Sequence, residues 1–224
     1  MSKKKPSFSH IFPIVDAMVE VACKELEQNG EPISCKAGCD HCCYLFIEVS
    51  WEEAEELADW ILKQPEKLKF SYIGQVLSNA KQARQVIQQH SEAAHLYQPY
   101  RGESQTPDVI FEEYFYKGDY PCPFLEEGRC QAYESRPTAC RLHMVSSDAN
   151  LCSRKVTEDS EYDIPERVEE LKEQSAPAIE ALERDGRWGH LGIMVEAVLV
   201  ARGLLYDQEP LLSKENCRSS KNAA

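Results

Sequence analysis

The side chains with most chemistry to offer are eight cysteines gathered in two stretches. The first stretch reads Cys35-x3-Cys39-x2-Cys42-Cys43, and the second holds Cys122, Cys130 and Cys140, with Cys152 further on. Spacings of two or three residues let successive thiolates converge on one ion, because the chain curls back without closing a long loop. Gly38, just before Cys39, and Gly128, before Cys130, permit the turns such a knuckle needs. Adjacent residues have Cα atoms about 3.8 Å apart, whereas an ordinary disulfide wants about 4.4–6.8 Å, so Cys42 and Cys43 are a poor disulfide pair. In an extended segment their side chains also point to opposite faces. The dipeptide therefore implies two neighbouring metal positions, or one ligand beside one packing thiol. Four thiolates suit tetrahedral zinc and an iron–sulfur cluster equally, and the spacing leaves both open.

Charge and composition narrow the context. With 25 Lys+Arg against 38 Asp+Glu the net charge is −13, which argues against nucleic acid and anionic membrane surfaces as partners. The one dense basic run, Lys3-Lys4-Lys5, lies at an end that frays easily. Ten cysteines in 224 residues fall below the density of a small disulfide scaffold. The longest apolar stretch, 191–205, is broken by Glu196 and Arg202 and is too short to span a bilayer. The amino-terminal apolar run breaks at His10, Pro13 and Asp16, which is no signal peptide. The expectation is a cytoplasmic chain whose reduced thiols serve as ligands or redox groups.

Cations beside the cysteines, namely Lys36, Arg129, Arg136, Arg141 and Arg154, can offset thiolate charge, most directly Arg136 and Arg141; the plainer alternative is solvated surface charge. Cys23, on the apolar face of the first helix, reads as core, and Cys217, in the polar tail, as a bystander. His41 reads as exposed. His143, three residues after Cys140, is a reserve ligand, while His10, His90, His95 and His190 have no partner motif.

The elements that must hold these loops are mainly α-helical. Ile11, Val15, Met18, Ala22 and Leu26 predict a helix to about Gln28, stopped at Asn29-Gly30. Residues 44–49 are β-prone. Ser50 and Glu53 form a capping-box pattern ahead of a helix with Ala54, Leu57, Ala58 and Ile61 inside. A second helix is predicted over 68–90, continuing or restarting towards Leu96. Residues 97–121, rich in Tyr and Phe without sustained period, read as a loop folded over the surface as a lid. Asp163 and Pro165 predict another helix start, with a break near Pro177, and 190–206 reads as a buried helix. The expected organisation is a flexible leader over 1–10, one helical cysteine-cluster domain over 11–212 and a disordered tail over 213–224. Within it, helices wrap around two irregular cysteine-rich loops that form a metal site, with Cys35, Cys39, Cys42, Cys43, Cys122, Cys130, Cys140 and Cys152 as ligands. No phosphate-cradling glycine loop and no Ser-His-Asp arrangement is readable.

Three blocks in order carry a family resemblance. These are Cys35-x3-Cys39-x2-Cys42-Cys43, then Cys122-Pro123-Phe124-Leu125 with Gly128-Arg129-Cys130, then the run from Tyr133 through Arg136-Pro137-Thr138-Ala139-Cys140-Arg141. Together they resemble the YkgJ-like cysteine-cluster proteins, zinc- or iron-chelating domains of bacteria, over roughly residues 30–155. The flagellin lysine N-methylases are a related branch with a similar cluster, thought to use an iron–sulfur centre with S-adenosylmethionine. The resemblance names a metal site more firmly than a reaction. C-x3-C-x2-C is also the spacing of radical S-adenosylmethionine enzymes, but this chain lacks their alternating strands and helices and adds Cys43 and a second cysteine segment. The expected function is binding of zinc or an iron–sulfur centre. The alternatives are an iron–sulfur, S-adenosylmethionine-dependent transferase, and a redox or metal-delivery module acting on a partner protein.

Overall fold

Helix α1 (Phe8–Gln28) opens the described part of the chain; the computed structural model describes residues 7–102, 106–155 and 162–205. The helix begins earlier than its periodicity suggested and takes in residues 8–10. Phe8 and Phe12 supply the reason, since both are buried against Leu182. At the other end Gly30 takes a φ of 84° and the Glu31 N–H returns to the Leu26 carbonyl at 2.9 Å, the glycine-dependent stop that the sequence predicts.

Helix α2 (Trp51–Leu62) has both halves of the capping box, with Ser50 and Glu53 serving each other's backbone N–H. Its stripe of Ala54, Leu57, Ala58 and Ile61 is fully buried. Helix α3 (Glu66–Ile87) buries Tyr72, Val76, Ala80 and Ala83, and a 3₁₀ turn, Ser91–Tyr97, restarts the chain and carries Leu96 into the core. The described residues between 97 and 121 carry more regular structure than the expected loop. Helix α4 (Asp108–Phe111) runs into a π-helical turn, Glu112–Lys117, that buries Tyr114 and Phe115. The wider turn shifts the side-chain period away from 3.6, which hides it in the sequence.

Helix α5 (Thr138–Arg141) is one turn long, and α6 (Glu166–Glu180) lies along α1. Contrary to expectation α6 continues through Pro177. Val168, Leu171 and Ser175 keep its inner face buried, and Glu173, whose carbonyl loses its partner to the proline, is exposed to solvent. Helix α7 (Leu191–Ala201) is apolar on most sides and packs between α2 and α3. Its approach to α3 needs Gly192, because a Cβ there would stand 2.4 Å from Asn79 Oδ1 and 2.9 Å from the Ala80 nitrogen.

Five short strands occur among the described residues: β1 (Glu48–Ser50), β2 (Tyr100–Arg101), β3 (Leu125–Glu126), β4 (Arg129–Cys130) and β5 (Arg187–His190). An antiparallel sheet in the order β1-β5-β2 pairs Val49 with Gly189 and Tyr100 with Trp188, and β3 and β4 form a hairpin. The fold is therefore mainly helical, with the cysteines carried largely on turns, short strands and one-turn helices between the longer helices. The predicted tail over 213–224, with Cys217, lies outside the described residues.

Candidate metal centre

Backbone hydrogen bonds shape the first cysteine segment. Ser34 is tied at both ends, its N–H to the Val145 carbonyl at 2.8 Å and its hydroxyl to the Ser146 carbonyl at 3.0 Å. The Cys39 N–H bonds the Lys36 carbonyl at 2.9 Å across a turn in which Gly38 has a φ of 90°. A 3₁₀ turn, His41–Tyr44, then presents Cys42 and Cys43.

The second segment is laid against the first. The Cys122 N–H donates to the Cys43 carbonyl at 2.7 Å. The β3–β4 hairpin turns through Glu127 and Gly128, both at positive φ, and brings Gly128 so near that a Cβ on it would lie 3.8 Å from the Gly38 carbonyl oxygen. Cys140 sits on α5, whose first N–H, that of Thr138, donates to the buried Glu53 carboxylate of α2 at 2.7 Å. Cys152 ends a 3₁₀ turn, Ala149–Cys152, that packs against the His41–Tyr44 turn.

All eight thiols lie partly or fully within protein. Burial pushes the Cys122 thiol up to about 12, with Cys130 and Cys42 adding to it and the Phe124 N–H opposing it. Burial raises Cys140 well above the ordinary range, reinforced by Cys122, Cys42 and Cys130. Burial raises Cys130 too, and here the Ala132 N–H and the Arg136 cation pull the other way. On the other side burial brings Cys152 to about 11, with Cys35, Cys39 and Cys42 next, and Cys35 is raised by burial and by Cys39 and Cys42. Cys42 and Cys43 share a hydrogen bond that lowers the first and raises the second. The sulfurs thus share a neighbourhood in two overlapping groups that meet at Cys42. As placed, no three His, Cys, Asp or Glu side chains among the described residues close on a common ion.

The flanking cations divide. Arg141 is fully enclosed, and Arg136 reaches the same carboxylate, Asp16 of α1. Arg154 pairs with Asp119 at 2.5 Å and stacks 3.8 Å over the Tyr44 ring, which ties residues 118–119 to the cysteine turn. His143 faces the Tyr162 ring at 5.6 Å. Cys23 packs with the α1–α6 core, its thiol 3.9 Å from the Met144 sulfur.

Two features near the site carry no motif. One is the reach of Glu53 from α2 to α5, for which the capping-box glutamate was a signal but its second bond was not. The other is a buried polar chain. The Asn79 amide donates to the Tyr114 hydroxyl at 3.0 Å and to the Pro121 carbonyl, next to Cys122, at 3.1 Å. His190 Nε2 lies 3.2 Å from the same hydroxyl. A cavity of about 400 Å³ is walled by Phe8, Glu52, Glu56, Leu182 and Arg202, with no cysteine in its lining, so it gives no substrate room beside the sulfurs.

A family model, described as a putative zinc- or iron-chelating domain, matches residues 34–165 and so takes in every cysteine of the two segments. The chain belongs to the CxxCxxCC family. Its CxxCxxCC domain begins at Ser34, the residue pinned to Val145 and Ser146, and ends at Pro165, where α6 begins. Helices α2 to α5 and strands β1 to β4 lie inside that span, while α1, α6 and α7 pack around it. In comparisons with curated proteins and with solved structures nothing matches the chain. Among the described residues no helix is long and apolar enough to cross a membrane.

Proposed function

We propose that this CxxCxxCC domain holds zinc or iron in two neighbouring centres, one on Cys35, Cys39, Cys42 and Cys152 and the other on Cys43, Cys122, Cys130 and Cys140. The observation that carries the reading is the backbone bond from Cys122 to Cys43, which sets the two cysteine segments side by side across a long stretch of sequence. Electrostatic neighbourhood is consistent with the division, with Cys42 next to both groups. Cys152 feels Cys35, Cys39 and Cys42, whereas Cys43 feels Cys122 and Cys140 besides its neighbour Cys42. Backbone N–H groups of Val145, Phe124 and Ala132 favour the charged forms of Cys35, Cys122 and Cys130, as a thiolate ligand requires. An ion would draw the sulfurs together from turns and a hairpin, with helices behind them fixing the frame. A reducing compartment, the cytoplasm, keeps such thiols available.

Anaerobic purification followed by elemental analysis and a visible absorption spectrum tests this. Iron with sulfide and colour identifies a cluster, and colourless protein with stoichiometric zinc identifies thiolate zinc sites. Cys39→Ser and Cys130→Ser are expected to lower metal content, each leaving the other centre loaded, while Cys217→Ser leaves it unchanged. Equal metal content in all three variants would overturn the ligand assignment.

A further inference from the structure

We infer that Arg136 is the positioning residue for the charged, metal-bound form of the cysteine centre, donating hydrogen bonds to its ligand sulfurs, and that Arg141 beside it is only a structural clasp. This rests on the metal-binding reading above and divides two arginines that the sequence leaves equivalent.

The two side chains start five residues apart and meet at Asp16, yet their hydrogen bonding differs. Every nitrogen of Arg141 has a partner: Nε donates to the Arg136 carbonyl at 2.9 Å, Nη2 to the Glu134 carbonyl at 2.5 Å and Nη1 to Asp16. Its guanidinium lies 4.1 Å over the Phe12 ring. Arg136 gives Nη2 to Asp16 at 3.3 Å and stacks 3.6 Å over the Tyr133 ring. Its Nε and Nη1, however, are enclosed by protein and have no partner. The side chain is only 12% exposed.

A desolvated cation with two idle donors is costly, so such donors call for acceptors that form in another state of the molecule. Sulfurs lie within its field: Arg136 favours the thiolate of Cys42 from the first segment and of Cys130 from the second. Arg141 acts on Cys130 and Cys140 as well, but each of its three nitrogens already has a partner, so the idle donors are what set Arg136 apart. A dication with four thiolates carries a net charge of about −2, which an enclosed cation nearby would offset. Asp16 does not cancel that cation, since it is 41% exposed and is shared with Arg141. The position before Pro137 fixes Arg136 in an extended conformation, φ −60° and ψ 142°, which limits how far its side chain can swing away.

The test uses the full chain, freed of metal and reloaded anaerobically with Co²⁺, whose sulfur-to-cobalt charge-transfer band reports the ligand sulfurs. Arg136→Met is expected to weaken cobalt binding roughly 10–100-fold and to shift the band, while far-UV circular dichroism of the metal-free protein is unchanged. Arg136→Lys keeps the charge but not both donors, and restores part of the affinity. Arg141→Met lowers the melting temperature of the metal-free protein instead. Wild-type affinity and band position in Arg136→Met would overturn the inference. Should that variant not fold, the same wild-type result in Arg136→Lys would overturn it. A wild-type chain with no charge-transfer band would sink the metal-binding reading itself, which separates the two failures.

Discussion

Glu53 joins the scaffold to the site, so its removal has a cost that can be worked out. Glu53 is 3% exposed and its carboxylate accepts three hydrogen bonds. Oε2 accepts from the Ser50 N–H at 3.2 Å as half of the capping box and from the Ser50 hydroxyl at 3.4 Å, and Oε1 accepts from the Thr138 N–H at 2.7 Å, while the Glu53 backbone N–H bonds Ser50 Oγ at 3.4 Å. Glu53→Ala keeps the last bond and loses the three to the carboxylate. The lost cap half costs about 1 kcal/mol. The Thr138 N–H, left without its acceptor, costs about 1–2 kcal/mol. The vacated methylenes add about 1 kcal/mol, and relief of a buried carboxyl, which burial holds above the usual carboxylate range, offsets part of this. The sum is about 3 kcal/mol, a fall of about 6–12 °C in melting temperature for a chain of this size. Glu53→Gln has one acceptor oxygen for three donors and should lose about half as much. Thermal and urea unfolding of the metal-free, reduced protein, followed by circular dichroism, reads both. An alanine variant melting within about 2 °C of wild type, or no less stable than the glutamine variant, would refute the tie between α2 and α5.

Three further outcomes are expected. Gly192→Ala should destabilise by about 1–3 kcal/mol in urea titrations, because its Cβ would meet Asn79 Oδ1 and the Ala80 backbone; a neutral effect would show that α7 can back away from α3. His190 is pushed down to about 3 by burial, with the Arg84 cation second, from 6.5 when unfolded. Its contribution is therefore complete above 6.5 and drains away as pH falls, by about 2 kcal/mol by pH 5, and His190→Phe should flatten that fall. An unchanged slope would count against the enclosed neutral ring. Removing the metal with a chelator under reducing conditions should lower the melting temperature. It should also raise amide exchange in 34–45 and 122–152 while α2, α3 and α7 keep their protection; uniform exposure, or no change, contradicts that division.

The sequence makes the local devices legible and hides the tertiary ones. Ser50 with Glu53, Gly30 after α1 and the glycines at 38 and 128 could be read because each acts within a few residues. Strand β5 could not, since Arg187–His190 is too short to show alternation and is extended because β1 and β2 flank it. The π turn at Glu112–Lys117 conceals its inner face by its unusual period. Pro177 looked like a break because the proline rule weighs the lost bond and not the packing of Val168 and Leu171 on the far side of the helix. In the site, cysteine spacing marks the candidate ligands, but nothing in it says that Glu53, Asn79 or Tyr114 stands behind them.

The Cys42-Cys43 pair draws these levels together. Its turn is 3₁₀, so successive side chains leave the axis about 120° apart, which lets neighbouring thiols serve different surroundings without strain. One side of the turn meets the Ala149–Cys152 turn, and its other edge receives the Cys122 backbone. A strand would have sent one sulfur back into the core, and an α-helix would have needed more room than the four residues between Cys43 and β1 allow. The turn is held from outside as well, by Arg154 over Tyr44. The doubled cysteine therefore stands where the two groups of neighbouring sulfurs overlap, and β1 and the α2 cap that follow it join it to the buried core around α2 and α7.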